Sequence, residues 1–330
     1  MVEHRMVDVN GVRLHIAEQG SGPLVVLLHG FPECWHSWRH QFGPLADAGF
    51  HVIAPDQRGY GSSDHPADVG AYTILHLVGD VVGLVRALDE EKAYVVGHDW
   101  GAPVAWHTAL LRPDMVLGVA GLSVPPPFRG TQPPLAAMEQ RFGGRFYWNY
   151  FNRRGVADAE FARDVRTTLR KFLYSASGDA PHSGEGGQPL VDPERGWLSA
   201  MPDPEVLPGW LTEDDLDVFT DTFSQGFTGA LNWYRNLDRN WELTAPWHGA
   251  VVSSPALYIY GDRDVVPAFP GTPELIEKLP DLMPDLRREP LLLSGCGHWT
   301  QQERPQEVNA ALIEFLRTAV PAPRHNDASK

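Results

Sequence analysis

The chain is poor in cysteine and in long apolar runs. Only two cysteines occur among its 330 residues, Cys34 and Cys296, and they lack the spacing of metal ligands. Its longest apolar runs, such as Leu24–Leu28, have the length of a β-strand and are too short to span a bilayer. The charged N-terminal segment Met1–Gly11 lacks the apolar centre of a signal peptide. We therefore expect a cytoplasmic protein with reduced thiols and no membrane partner.

The chain also lacks runs of one charge. Its formal net charge is −15, and the acidic residues are scattered along the sequence. This distribution favours solubility and argues against nucleic acid or an anionic membrane as a partner. A length of 330 residues is enough for two modest domains or for one domain with an insertion. The sequence leaves the oligomeric state open, and a homodimer is compatible with it.

The first part of the chain alternates between strand and helix patterns. Two alternating segments, His4–Val9 and Val12–Glu18, flank Asn10-Gly11, which predicts a β-hairpin. The continuous apolar run Leu24–Leu28 is typical of a strand that is buried on both faces of a parallel sheet. Further helices are predicted at Trp35–Ala48, Ile74–Leu88 and Ala102–Leu111, and further strands at His51–Ala54, Tyr94–Val96 and Met115–Leu122. This rhythm predicts an α/β fold with a doubly wound, mostly parallel sheet.

The rhythm stops after Val124 and returns near Ala256. The stretch between them has helical patterns but no convincing buried strand, and its Gly- and Ser-rich part, Ser175–Gln188, is expected to be a flexible loop. The helical patterns cover Arg163–Tyr174, Glu213–Thr222 and Thr228–Arg235, and the α/β pattern resumes with strands Ala256–Tyr260 and Glu289–Leu293 and helix Gln306–Arg317. We therefore predict a core in two parts, 1–124 and 245–320. A helical cap at 125–244 is expected over the carboxyl edge of the sheet, and a flexible tail at 321–330.

One of the predicted strands ends in a pattern that can carry chemistry. Strand Tyr94–Val96 runs into Gly97-His98-Asp99-Trp100-Gly101 and then into an Ala-rich helix. This is the arrangement of the nucleophile elbow of hydrolases, with Asp99 at the position where serine is common. An isolated Gly-x-Asp-x-Gly is usually only a turn. Between a buried strand and a helix, it predicts that Asp99 is a nucleophile held above the edge of the sheet.

Two later loops supply partners in the expected order of nucleophile, acid and base. Asp262 and Asp264 follow the strand that begins at Ala256, and His298 follows the last strand between a glycine and a tryptophan. We favour Asp264 as the residue that orients His298, because Asp262 is better placed to cap the turn. The end of strand Met115–Leu122 offers no carboxylate as an alternative.

An aspartate at the elbow has a chemical consequence. Attack by a carboxylate on saturated carbon gives an ester, which water can cleave, whereas attack by serine would give an ether. Neutral His298 would take a proton from that water. The backbone N–H groups of Phe31, at the end of the first buried strand, and of Trp100 would then meet the oxyanion. The pattern favours alkyl transfer followed by ester hydrolysis over the reaction of an esterase.

The chemistry-bearing segments resemble those of the soluble epoxide hydrolase family, particularly its bacterial members. The resemblance extends from about residue 4 to about residue 317. The matching segments are His29-Gly30-Phe31-Pro32-Glu33, Asp56-Gln57-Arg58-Gly59-Tyr60-Gly61, Gly97-His98-Asp99-Trp100-Gly101-Ala102, Asn232-Trp233-Tyr234-Arg235-Asn236 and Gly297-His298-Trp299-Thr300-Gln301. This resemblance implies an α/β-hydrolase fold with an inserted helical cap, a small apolar epoxide and water as substrates, and neither metal nor cofactor.

The resemblance also assigns roles within the cap. In the family, two cap tyrosines hold and protonate the epoxide oxygen, and they map to Tyr147 and Tyr234, with Tyr150 as a competing choice for the first. A phenol, with an ordinary pKa near 10, is a suitable neutral donor to a basic alkoxide. The Phe31-Pro32 bond looks like the family's cis peptide. The remaining candidates for an apolar pocket are Pro32, Trp35, Trp148, Tyr150 and Trp299.

Four other functions compete with this interpretation. A haloalkane dehalogenase would use the same Asp and His, but it needs N–H donors for a halide, typically including an Asn at the position that Phe31 occupies. A haloacid dehalogenase would need arginines near the nucleophile, and Trp100, Ala102 and Pro103 offer none. An esterase is disfavoured by Asp at the elbow. A binding protein without activity usually lacks a triad member, and here all three are present.

Overall fold

The computed structural model describes residues 1–126, 129–181, 190–269 and 271–319. Its framework is one eight-stranded sheet with the order β1-β2-β4-β3-β5-β6-β7-β8. The strands are β1 Glu3–Val9, β2 Val12–Gly20, β3 Leu24–Leu28, β4 His51–Pro55, β5 Ala93–His98, β6 Val116–Leu122, β7 Ala256–Gly261 and β8 Leu291–Leu293. Strands β1 and β2 form the predicted antiparallel hairpin, β2 also pairs antiparallel with β4, and every other neighbouring pair is parallel. The predicted mostly parallel α/β sheet is confirmed.

The sheet separates two apolar layers, which explains why its central strands are apolar throughout. In β3, Leu24, Val26 and Leu28 face one layer, whereas Val25 and Leu27 face the other. Three helices come from the first part of the chain: α1 Arg39–Asp47, α2 Ile74–Ala87 and α3 Gly101–Leu111. Helix α1 covers the face of Val25 together with the last helix, and α2 and α3 cover the face of Val26.

The chain between β6 and β7 folds into seven α-helices within its described residues. They are α4 Pro134–Phe142, α5 Tyr147–Asn152, α6 Val156–Phe161, α7 Val165–Ser175, α8 Glu213–Thr222, α9 Thr228–Tyr234 and α10 Leu237–Leu243. The three predicted helices are confirmed as α7, α8 and α9. The other four helices were not predicted, and three of them have only six or seven residues, which gives a weak helical period.

The last part of the chain returns to the sheet with β7 and β8. Its helices are α11 Thr272–Glu277, α12 Leu279–Leu282, α13 Thr300–Glu303 and α14 Pro305–Thr318. Two sequence predictions need correction here and near the start. The predicted helix Trp35–Ala48 is a 3-10 turn at Trp35–Trp38 followed by α1, and β8 is two residues shorter than predicted at its start. Pro44 lies inside α1 without ending it.

Two predicted flexible segments fall largely outside the described residues. The tail at 321–330 does so completely, and so does the part of the predicted loop from 182 to 188. The start of that loop is ordered: Ser175 ends α7, and Ser177 is buried. None of the described helices is long and apolar enough to cross a membrane.

A buried ion pair ties the hairpin, the sheet and the inserted helices together. The guanidinium of Arg58, which is 2% exposed, donates to both oxygens of Asp80 on α2 at 2.5 and 2.6 Å. Asp80 also accepts from the Asn10 side chain in the hairpin turn at 2.9 Å. The backbone oxygen of Arg58 accepts from the indole of Trp233 on α9 at 3.1 Å. Arg58 and Asp80 therefore connect the hairpin turn, helix α2 of the core and helix α9.

Loss of this pair should be costly for stability. In Asp80→Ala, the Arg58 charge would stay buried without a carboxylate partner, and we expect the free energy of unfolding to fall by about 3–5 kcal/mol. The matched control is Glu242→Ala, which breaks the exposed Arg239–Glu242 pair and should leave stability nearly unchanged. Chemical denaturation of both variants measures the difference. Equal losses in the two variants would contradict the prediction.

Candidate active site

The predicted nucleophile lies on a strained turn between β5 and α3. Asp99 has a φ of 48°, a left-handed conformation that is uncommon for a residue other than glycine. Its flanking glycines permit this turn because neighbouring backbone comes very close. A Cβ on Gly97 would lie 2.0 Å from the Gly101 oxygen, and one on Gly101 would lie 2.0 Å from the Leu28 oxygen. The turn lifts Asp99 out of the sheet, and its side chain is 16% exposed, into a cavity.

The two carboxylate oxygens of Asp99 have different partners. Oδ1 accepts the backbone N–H of Phe31 at 2.7 Å, and Oδ2 lies 3.4 Å from Nε2 of His298. Burial opposes a charge on Asp99, but the hydrogen bond and positive charge of His298, the ring of His98 and the Phe31 N–H hold its pKa below the ordinary value. Asp99 is therefore ionised at neutral pH.

His298 connects this carboxylate to a second one. Its Nδ1 lies 3.0 Å from Oδ1 of Asp264, whose side chain is fully buried, whereas Asp262 is exposed. Burial lowers the pKa of His298, but the charge and hydrogen bond of Asp264 and then those of Asp99 raise it well above the usual range. The geometry agrees with the choice of Asp264 over Asp262 as the partner of His298.

Ser123 also contacts the imidazole, and sequence reasoning missed it. Its hydroxyl oxygen lies 2.8 Å from Nδ1 of His298, so that two oxygens share this nitrogen. The end of β6 carries no carboxylate, and no local pattern signals that a serine there contacts a histidine 175 positions later. Burial raises the pKa of Asp264, but the charge and hydrogen bond of His298, a hydrogen bond from Ser123 and the Val266 N–H hold it below the ordinary value.

Behind the reacting groups, a buried pair joins the loops that carry them. Glu33 and His98 are both fully buried, with 2.7 Å between Oε2 and Nδ1. Glu33 accepts the N–H of Gly30 at 3.0 Å, and Nε2 of His98 lies 2.8 Å from the backbone oxygen of His298. This chain of contacts spans the loops after β3, β5 and β8. It sets the positions of Phe31, Asp99 and His298 relative to each other.

The inserted helices place two tyrosines opposite Asp99. Tyr147 on α5 and Tyr234 on α9 both line the cavity that contains Asp99, and their ring centroids lie 5.8 Å apart. Burial and the charge of Asp99 raise the pKa of both phenols, so both are neutral. Tyr150 points elsewhere, because its hydroxyl donates to Glu160 at 2.7 Å. Of the two competing tyrosines, the structure brings Tyr147 to the site.

The cavity has a volume of about 530 Å³ and mostly apolar walls. Apart from Asp99 and His298, the charged residue among its described walls is Arg263, which is exposed and donates to the Gly178 oxygen at 2.8 Å. Aromatic and aliphatic side chains make up most of the rest, including Phe31, Pro32, Tyr147, Phe172, Leu190, Trp197, Met201, Tyr234, Val265, Val266, Phe269 and Trp299. Trp197 was missed by sequence reasoning, and it stacks on Tyr147 with 5.0 Å between ring centroids.

Three of the five predicted pocket residues do not line the cavity. Pro32 and Trp299 do, but Trp35, Trp148 and Tyr150 do not. The ring of Trp35 packs against His4 of the hairpin, with 4.7 Å between centroids. Trp148 follows Tyr147 in α5, where consecutive side chains are about 100° apart around the helix axis, and its indole packs against Phe146 with 5.2 Å between ring centroids. The sequence shows where the tryptophans are, but it does not show which way their side chains point.

The remaining predicted features can be placed directly. The Phe31-Pro32 bond is cis, as expected. The indole of Trp100 packs against Trp233 and Tyr234, with 5.8 and 5.1 Å between ring centroids. Among the residues that the structure describes, no group of three or more His, Cys, Asp or Glu side chains is placed to hold a metal ion.

Comparison with known proteins agrees with this geometry. Residues 23–305 match the family model of the alpha/beta hydrolase fold. The chain is 46% identical over 316 residues to epoxide hydrolase A of Mycobacterium tuberculosis, covering 94% of this chain and 96% of that protein. It is 43% identical over 319 residues to epoxide hydrolase 3 of Siraitia grosvenorii, covering 96% of this chain and 98% of the plant protein.

A solved structure is similar over nearly the same length. The epoxide hydrolase from an endophytic Streptomyces superposes with a TM-score of 0.92 and 46% sequence identity, covering 96% of this chain and 95% of that one. Sequence and structure thus agree on one group. The chain belongs to the α/β-hydrolase fold family and, within it, to the epoxide hydrolases.

Proposed function

We propose that this enzyme converts small apolar epoxides to vicinal diols through an ester on Asp99. The observation that carries the proposal is the meeting, in one apolar cavity, of an ionised carboxylate, a histidine and two neutral phenols. Tyr147 and Tyr234 are donors suited to an oxygen leaving group. The relatives in bacteria and plants that are named epoxide hydrolases support the same conclusion.

In the first step, Oδ2 of Asp99 attacks an epoxide carbon and the carbon–oxygen bond of the ring breaks. The negative charge moves from Asp99 to the former epoxide oxygen, which takes a proton from Tyr147 or Tyr234. The charge of Asp99 is one of the causes that raise the pKa of these phenols. Its neutralisation therefore makes the phenols stronger acids at the moment when a proton is needed.

In the second step, water attacks the ester carbon while His298 takes a proton from the water. Oδ1, which already accepts the Phe31 N–H at 2.7 Å, becomes the oxyanion. We assign the backbone N–H of Trp100 as the second donor. Collapse of the intermediate breaks the bond between the ester carbon and the alkyl oxygen. The departing alkoxide takes the proton of the newly formed carboxylic acid, which releases the diol and restores the Asp99 carboxylate. The proton on His298 returns the tyrosinate to its neutral form.

The same cycle links the pKa of His298 to the step in which it acts as a base. In the free enzyme, Asp99 and Asp264 both raise the pKa of His298. Esterification removes the charge of Asp99 and leaves only that of Asp264. The pKa of His298 therefore falls when the ester forms, which favours the neutral imidazole that hydrolysis requires.

We assign residues 125–244 as a cap domain and residues 1–124 and 245–320 as the core. The cap supplies Tyr147, Trp197 and Tyr234, and the core supplies Asp99 and His298 to the same cavity. The apolar walls favour alkyl or aryl substituents on the epoxide. A haloalkane dehalogenase is the rival, and Phe31 disfavours it because its side chain has no N–H donor for a halide.

The tyrosines give the first test. Tyr147→Phe and Tyr234→Phe should each slow diol formation by about 10–100-fold, and the double variant should lose more, because a positioned general acid contributes about 10²–10⁴-fold. Product analysis with a panel of aryl epoxides, alkyl epoxides and 1-haloalkanes measures diol and halide separately. Tyr150→Phe is the control and should keep the wild-type rate, since its hydroxyl bonds to Glu160. Halide release without diol would make this chain a dehalogenase.

Replacement of the base should separate the two steps. In His298→Gln, Asp99 keeps its charge and can still form the ester, but no group takes a proton from water. We expect the protein to gain the mass of one epoxide and to release diol at least about 10²-fold more slowly than wild type. Mass spectrometry of the intact protein detects the ester. A variant that accumulates no ester while diol formation is lost would contradict the assignment of the base.

The change in the pKa of His298 can be measured without substrate. Asp99→Asn resembles the ester in having no charge, so the pKa of His298 should be lower in this variant than in the wild-type protein. NMR titration of the His298 ring gives both values. The control is Asp262→Asn, an exposed carboxylate in the loop of Asp264, and it should leave the titration unchanged. An unaltered pKa in Asp99→Asn would refute the proposed coupling.

A further inference from the structure

Ser123 occupies a costly backbone conformation directly behind the catalytic histidine. It follows β6, is fully buried and has a φ of 70°, in the left-handed region that non-glycine residues rarely adopt. Strand β7 holds it there from both sides. The Ser123 N–H donates to the Ile259 oxygen at 2.8 Å, and the Tyr258 hydroxyl donates to the Ser123 oxygen at 2.8 Å. The fold therefore maintains strain at one residue whose side chain faces His298.

The position of the protons follows from the two distances at Nδ1. Asp264 lies 3.0 Å from Nδ1, and an ionised carboxylate can only accept a hydrogen bond, so Nδ1 carries the proton. Ser123, at 2.8 Å from the same nitrogen, must then accept with its oxygen. Its own hydroxyl proton remains free to be donated. Oδ2 of Asp264 is buried and has no hydrogen-bond partner within the described parts of the chain, so we assign it as the acceptor of this proton. Ser123 is also among the groups that lower the pKa of Asp264.

We propose that Ser123 is a positioning residue for His298, acting through a hydroxyl that accepts from Nδ1–H and donates to Asp264. This inference rests on the proposed function of the site. Two acceptors beside one N–H restrict rotation of the imidazole more than Asp264 alone. Nε2 then stays directed at Asp99, where the attacking water must be activated. The strained turn after β6 is kept because it delivers the hydroxyl to that place.

The role of Ser123 should be confined to one step of the cycle. Formation of the ester uses Asp99 and the tyrosines, whereas its hydrolysis needs a correctly oriented base. A general loss of structure would slow both steps. Selective slowing of hydrolysis therefore distinguishes positioning of His298 from support of the fold.

Ser123→Gly is the sharpest variant, because glycine suits the positive φ while it removes the hydroxyl. Single-turnover measurements with an epoxide, following ester by mass spectrometry and diol by chromatography, give both rates. We expect hydrolysis to slow by about tenfold or more, the effect of one hydrogen bond to a charged pair, and ester formation to change by less than about twofold. The melting temperature of Ser123→Gly should not fall below that of Ser123→Ala, since only alanine retains the strain.

The matched control is Ser37→Ala, which removes another buried hydroxyl, one that donates to the Cys34 oxygen at 2.9 Å outside the cavity. Both rates should match the wild-type protein. Wild-type hydrolysis in Ser123→Gly, or equal slowing of both steps, would overturn the proposal.

A second measurement does not depend on turnover. The NMR resonance of the His298 Nδ1 proton should shift in Ser123→Gly and stay unchanged in Ser37→Ala. If the wild-type protein forms neither ester nor diol, the proposed function fails, and this resonance alone decides the role of Ser123. A signal at the same position in all three proteins would overturn it.

Discussion

The site depends on keeping a carboxylate charged inside an apolar cavity. Burial disfavours the charge on Asp99, and three groups compensate: the imidazole of His298, the ring of the neighbouring His98 and the backbone N–H of Phe31. Each lies at the end of a different parallel strand or on the elbow itself. The carboxyl edge of the sheet therefore brings together the groups that keep the nucleophile ionised.

Buried polar groups behind the site hold these loops at fixed separations. The Glu33–His98 pair spans three loops, and the Arg58–Asp80 pair connects the hairpin and the inserted helices to the core. Pairs like these are costly to desolvate and add little net stability, but each fixes relative positions that apolar packing leaves adjustable. The catalytic distances need that kind of restraint.

In the proposed cycle, one negative charge moves, and the pKa values of the neighbouring groups change as it does. It begins on Asp99, where it raises the pKa of His298 and of both phenols. When it passes to the substrate oxygen, the phenols become better acids and His298 a neutral base. The protein therefore needs no separate switch between alkylation and hydrolysis, because the formation of the ester changes its own surroundings.

The sequence by itself determined the sheet, the elbow at Asp99, and the roles proposed for Asp264 and His298, because local periodicity and glycine spacing encode them. Tertiary structure alone decided between Tyr147 and Tyr150, excluded Trp35 and Trp148 from the cavity, and brought Ser123 to His298. Side-chain direction and contacts between distant loops arise from packing of the whole chain. A local sequence pattern does not encode side-chain direction or distant contacts. The contact of Ser123 with His298, for example, joins residues that are 175 positions apart.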